Sequence, residues 1–181
     1  MKNSKVITRQ ELKKLGQKFR EEKKKIVFTA GCFDLIHVGH ARYLSKARFL
    51  GDVLVVGLAS NGSVRRMKGK TRPIIDEKVR AEMLSFLEPV DYVHIHKEKT
   101  ASAALKALRP DILLMVEGDW EERFDENDDV KAAKLNGTKV VVVPRQAPYL
   151  STSAIIERVV GAEIQVLFRK HLANKKRILT D

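Results

Sequence analysis

His37 and His40 stand either side of Gly39 in the run GCFDLIHVGH, residues 31–40, directly after the apolar stretch KIVFTA and before ARYLSKARFL. Three residues apart at the start of a helix, two imidazoles lie on one face, about one turn from each other. The first N–H groups of such a helix lack intrahelical partners, and its macrodipole adds roughly half a positive charge there. That is an anion site before any side chain is counted. Gly39 removes a Cβ that would hold a phosphate away from the backbone, and two ring nitrogens add directional donors. The chemistry this suits is binding of a polyphosphate, above all the bridging region of a nucleoside triphosphate. Two other readings compete. One is half of a metal site, for which no third and fourth ligand is evident nearby. The other is a pair of buried helix histidines with satisfied ring nitrogens.

The elements that would position this pair can be read from the surrounding pattern. Residues 5–24 have helical spacing at Val6, Leu12, Leu15 and Phe19, with Thr8 and Glu11 placed as a capping box. Short apolar runs of buried-strand type follow at 25–30, 53–59, 91–96, 111–116 and 139–144. Helix-like stretches at 38–50, 76–88, 100–108, about 126–136 and 151–160 alternate with them. Strands apolar on both faces and separated by helices predict a doubly wound, Rossmann-like α/β fold with a parallel sheet of about five strands. The predicted division is a basic helix over 1–24, a main domain over 25–160 and a basic helical extension over 161–181. In such sheets ligands bind beyond the carboxyl ends of the strands. Those ends carry GCFDLIHVGH, SNGSVRRMKGKTRP, EGDWEERFD and PRQAPYLSTS, so the unusual chemistry of the chain gathers on one edge.

Composition narrows the classes. The net charge is +12, yet residues 1–25 hold ten basic side chains against three acidic ones and residues 161–181 five against two, so the excess sits at the two ends. Such runs are usually solvated helix faces, and nucleic acid is not the expected partner. No apolar run reaches the length of a membrane span, and the N-terminus has no apolar signal centre. One cysteine, Cys32, excludes an internal disulfide framework and fits a reducing cytoplasm. Its thiol has no activating base suggested by the sequence.

The run from Gly31 through RRMKGKTRPI, continued in DEKVRAEMLSFLEPVDYV, RPDILLMVEGDW and STSAII, resembles the cytidylyltransferase-like nucleotidyltransferases. That family is marked by a His-x-Gly-His helix start. The resemblance covers roughly residues 5–160 and is greatest to the heptose-1-phosphate adenylyltransferases, with glycerol-3-phosphate cytidylyltransferases next. It implies transfer of a nucleoside monophosphate from ATP or CTP to a small phosphorylated sugar or polyol, with release of pyrophosphate and with Mg2+ held mainly by the phosphates.

On the matching positions, the resemblance implies that His37 and His40 bind the phosphates and stabilise the charge in transit. Gly31, Cys32, Phe33 and Asp34 form the turn at the same phosphates, with Asp34 capping it or orienting the acceptor. Lys68 and Arg72 match basic phosphate-binding positions. Arg80 would reach nucleotide or acceptor, the competing reading being an ordinary surface arginine. Asp119 would accept from a ribose or acceptor hydroxyl, and Trp120 would wall the pocket. Ser151, Thr152 and Ser153 would take the pyrophosphate end, as N-caps or as ligands, with Arg145 upstream. Two positions depart from the heptose branch: Ala30 replaces its usual Asn, and Val116 and Glu117 replace its Lys-Gly. They bear on base and acceptor identity. Residues 161–181 would pack on the core or mediate a homodimer. The reading from another class is a nucleotide- or RNA-binding protein without turnover.

Overall fold

The computed structural model describes residues 5–118 and 124–178. Its first unit, Met1–Gln146, is built on one six-stranded, all-parallel sheet. The chain runs β1 (Val6–Ile7), α1 (Arg9–Glu21), β2 (Ile26–Gly31), α2 (Val38–Arg48), β3 (Val53–Ala59), α3 (Asn61–Lys68) and α4 (Glu77–Ser85). It continues with β4 (Tyr92–His96), α5 (Ser102–Leu108), β5 (Ile112–Val116), a 3-10 turn (Phe124–Glu126), α6 (Asp128–Leu135) and β6 (Lys139–Val143). The second unit, Ala147–Asp181, contains α7 (Thr152–Ile178), a single helix passing through position 160, where the sequence pattern suggested a boundary.

The strand order is β1-β4-β3-β2-β5-β6. From β2 the chain winds first toward β3 and β4, then crosses to β5 and β6, so the switch of direction lies between β2 and β5. Ligands bind at such a switch in open α/β sheets, and the carboxyl end of β2 is where the His37–His40 run begins. Alternating residues of each strand feed two cores. Val27, Leu54, Val56, Val93 and Leu114 pack with Leu44 of α2 and Leu84 of α4. Ile26, Phe28, Val55 and Leu113 pack with Leu12 and Phe19 of α1 and Leu105 and Leu108 of α5. This two-sided burial is what near-continuous apolar strands require.

Two elements differ from expectation. Val6 and Ile7 do not open a helix; they form a sixth strand, paired with Val93 and His94 of β4. Helix α1 then starts where the capping box placed it, with Thr8 accepting from Glu11 N–H and Glu11 accepting from Thr8 N–H. The other is α3, which lies in the SNGSVRRMKGKTRP run and is not among the expected helices. Gly62 and three basic residues hide its helical pattern, yet Ser60 caps it by accepting from Ser63 N–H at 3.2 Å. Against α5, α1 packs backbone to backbone: a Cβ added at Gly16 would stand 2.2 Å from the Leu108 carbonyl oxygen.

Candidate active site

The turn after β2 is shaped by Phe33, whose backbone lies in the left-handed region (φ 42°) while its ring is buried. The ring packs on His40, with centroids 5.4 Å apart. His37 then serves as the N-cap of α2, extended at φ −137°, ψ 173°. Its Nδ1 accepts from Gly39 N–H at 3.1 Å, and His40 Nδ1 accepts from His37 N–H at 3.3 Å. The two rings lie 4.0 Å apart, 33° from parallel. This is a reciprocal cap of the kind usually made by Ser/Thr and Glu, here built from two imidazoles.

The cap fixes the tautomer. A ring nitrogen that accepts from a backbone N–H carries no proton, so the proton of each neutral imidazole is on Nε2. Burial, then His37 and Lys68, push the pKa of His40 down to about 4, and burial lowers that of His37 as well. At neutral pH both rings therefore offer a neutral Nε2–H donor at the positive end of α2. Lys68, the last residue of α3, is near enough for its charge to act on both His40 and the Cys32 thiol. Burial raises the pKa of that thiol, which keeps it protonated and unreactive.

Asp34 is almost fully buried, and its carboxylate accepts from Arg72 Nε at 2.8 Å, Ile74 N–H at 2.9 Å and Ile75 N–H at 3.0 Å. Burial alone would raise its pKa, but the two backbone donors and Arg72 lower it on balance. Asp34 thus clamps the loop that follows α3. The clamp uses the Nε of Arg72 and leaves the two Nη groups, which are the ones a phosphate takes bidentately.

Arg80 requires a correction: it is neither an ordinary surface arginine nor an open hand for substrate. It is 1% exposed, and its guanidinium donates to the carbonyls of Cys32 and Ile75 and to Asn61 Oδ1. Asn61 in turn donates to Asp76, the N-cap of α4, at 2.6 Å. Arg80 is a strut joining the 31–34 turn, the 72–76 loop and the start of α3. Sequence reasoning missed Asn61, which has no motif around it. It also missed Tyr43, whose hydroxyl donates to the Leu114 carbonyl at 2.8 Å and pairs with Thr29 at 2.6 Å, tying α2 to β5 and β2. Its place three residues beyond His40 was the available signal.

Of the other expected residues, Arg145 is exposed beyond β6 in the first unit. Ser151, Thr152 and Ser153 open α7 in the second unit, where Ser151 Oγ accepts from Ala154 N–H at 3.1 Å. Asp119 and Trp120 lie outside the described residues. Among the described residues no group of three or more His, Cys, Asp or Glu side chains is placed to hold a metal ion, and no helix is long and apolar enough to cross a membrane.

The cytidylyltransferase-like family pattern matches residues 28–158. The bifunctional protein HldE of Wolinella succinogenes is 38% identical over 160 residues, which are 87% of this chain and 31% of that protein. The HldE of Helicobacter pylori is 44% identical over 148 residues, 82% of this chain and 30% of that protein. The chain therefore spans about a third of the length of these relatives. Among solved structures, a lipopolysaccharide core biosynthesis protein from Thermoplasma volcanium is 34% identical, with a TM-score of 0.56, covering 67% of this chain and 96% of that one. A pantoate-beta-alanine ligase from Francisella tularensis, 16% identical with a TM-score of 0.53 over 77% of this chain and 66% of its own, shares the fold. With its paired histidines capping α2 beyond β2, the chain belongs to the cytidylyltransferase-like nucleotidyltransferase family.

Proposed function

We propose that the chain transfers a nucleoside monophosphate from a nucleoside triphosphate to a phosphorylated sugar or polyol, in the manner of ADP-heptose synthesis. The observation that carries this reading is the reciprocal histidine cap, which aims two neutral donors at one anion-binding helix terminus. The heptose assignment draws on the motif resemblance and on the relatives named above.

In the proposed reaction an oxygen of the acceptor's phosphate attacks the α-phosphorus. The new O–P bond forms as the bond to the bridging α–β oxygen breaks, and pyrophosphate leaves. A phosphomonoester is largely ionised near neutral pH, its second pKa being about 6, so no protein base is needed. The protein's contribution is position and charge compensation. His37 and His40 donate through Nε2–H to the triphosphate, Lys68 adds a cation beside them, and Arg72 presents its Nη groups from the Asp34 clamp. The opening turn of α7, with Ser151, Thr152 and Ser153, is assigned the pyrophosphate end.

A magnesium ion fits this site as part of the substrate. The Asp34 carboxylate is spent on Arg72, Ile74 and Ile75, and the ion would be held by the nucleotide's phosphates and supply charge neutralisation there. The test is pyrophosphate release across ATP, CTP, GTP and UTP against sugar, polyol and alcohol phosphates. Turnover with ATP and a heptose phosphate is expected. Turnover restricted to CTP and glycerol-3-phosphate would move the chain to the cytidylyltransferase branch, and silence with every pair would leave a binding protein.

A further inference from the structure

Four cations from two helices meet in a groove of about 380 Å³, lined by Lys13, Gln17 and Arg20 of α1 and by Lys106, Ala107 and Arg109 at the end of α5. Among the described residues, no carboxylate and no aromatic side chain lines it. Lys13, Lys106 and Arg109 are exposed, and among the described residues none of the three makes a side-chain hydrogen bond or ion pair. Other cations in or beside α1 are matched: Lys18 and Lys24 pair with Glu22 at 3.8 and 3.0 Å, and Arg9 pairs with Glu98. Charges of one sign gathered without a counter-ion repel one another, so the folded chain gains from an anion placed among them.

The walls of the groove are fixed. Gly16 lets α1 lie directly against the Leu108 carbonyl, and Arg20 Nη1 donates to that carbonyl at 2.8 Å and to the Arg109 carbonyl at 3.4 Å. Among the described residues these bonds leave the Nε and Nη2 of Arg20 without a partner. Gln17 donates to Glu21 at 3.0 Å. Arg109 ends α5 in the left-handed region, at φ 51° and ψ 65°, where glycine is the usual residue. A long cation kept at such a position points to a use for its side chain. Helix dipoles account for Arg20 and Lys106, which stand in last turns, but not for Lys13 in the second turn of α1.

We propose that the α1–α5 groove binds a compact anion carrying two or more phosphoryl groups, held by Lys13, Arg20, Lys106 and Arg109. A single phosphate monoester carries about −1.5 to −2 at neutral pH, too little for four cations, whereas adjacent phosphoryl groups match them. A single-stranded nucleic acid is disfavoured, because it would need an aromatic platform for its bases and the groove has none. In a parallel sheet each covering helix runs back toward the amino ends of the strands. The last turns of α1 and α5 therefore lie at the edge opposite His37 and His40, and an ion here does not compete with the triphosphate. The site is independent of the assigned reaction.

Titration calorimetry of the full chain with tripolyphosphate, ATP, adenosine and a short single-stranded RNA tests it. Tripolyphosphate and ATP should bind the groove and adenosine should not, and the tighter of the two shows whether a free polyphosphate or a nucleotide's tail fits better. Arg109→Gly suits the left-handed backbone, so it should leave the circular dichroism spectrum unchanged while weakening this binding at least tenfold, and Lys13→Gln should do the same. Lys14→Gln removes an equal charge from α1 outside the groove and should change nothing. The binding should persist in Lys68→Gln, altered at the catalytic edge, which separates it from the triphosphate site even in a chain without turnover. Absence of any binding that Arg109→Gly weakens overturns the proposal, as does an equal loss in Lys14→Gln, which would reduce the effect to net charge. RNA held in the groove more tightly than tripolyphosphate also overturns it.

Discussion

Because the Nδ1 atoms of His37 and His40 accept from the backbone of α2's first turn, a ligand can meet only their Nε2–H groups. A glutamine places an amide N–H near the Nε2 position, whereas asparagine mimics Nδ1. His40→Gln should therefore retain more pyrophosphate release than His40→Asn, and His40→Ala should lose about a thousandfold, the scale of one lost transition-state donor. Equal losses in all three, with folding intact, would contradict the Nε2 assignment. Asp34 acts through its neighbour. Asp34→Asn leaves Arg72 without its buried counter-charge, so KM for the nucleotide should rise about tenfold while kcat changes less, and stability should fall by about 3 kcal/mol in urea unfolding. The two histidines stood out as a pair by their spacing, and the motif resemblance is what favoured a phosphate-binding role over that of buried helix histidines. The strut role of Arg80 was not legible, because a basic residue in a helix gives no sign of which way its guanidinium is folded. Burial and its three acceptors decide that, and they come from elements far apart in the chain.

Among the elements, the five long strands were readable because a parallel sheet covered on both faces makes each of them an unbroken apolar run. The two surprises lack that signal. β1 is only two residues long and takes its identity from pairing with β4, while α3 buries just Ser63 and Val64. α2 is held over the sheet by Tyr43, whose hydroxyl connects Thr29 of β2 and Leu114 of β5. Tyr43→Phe removes that connection and leaves two buried polar groups short of a partner, so it should cost about 1–2 kcal/mol. Its effect on turnover should exceed that of a surface change of equal size, because α2 carries both histidines. Urea unfolding and steady-state kinetics on the same sample check the pair of effects.

For the whole molecule, acid is the condition that reaches furthest. His94 and His96 of β4 are buried, and among the described residues His94 Nε2 and His96 Nδ1 have no hydrogen-bond partner. Burial lowers both pKa values, that of His96 to about 4. The unfolded chain binds these protons more readily than the folded one, so stability is complete above about pH 6.5 and declines as pH falls toward 4. His96 alone contributes a loss on the order of 3 kcal/mol over that window. Denaturation midpoints at pH 7 and pH 4.5 should converge in His96→Leu. Asp34 acts in a separate window: its lowered pKa sustains stability until the pH drops beneath the ordinary carboxylate range.

The meeting of α1 and α5 at Gly16 carries a lesson for anyone raising the melting temperature of this chain by swapping helical glycines for alanine. At Gly161 in α7 an extra methyl finds empty space, and the swap should gain up to about 1 kcal/mol. The identical edit at Gly16 drives a carbon into a carbonyl oxygen and prises two helices apart, so propensity tables would recommend the one change that this architecture rejects.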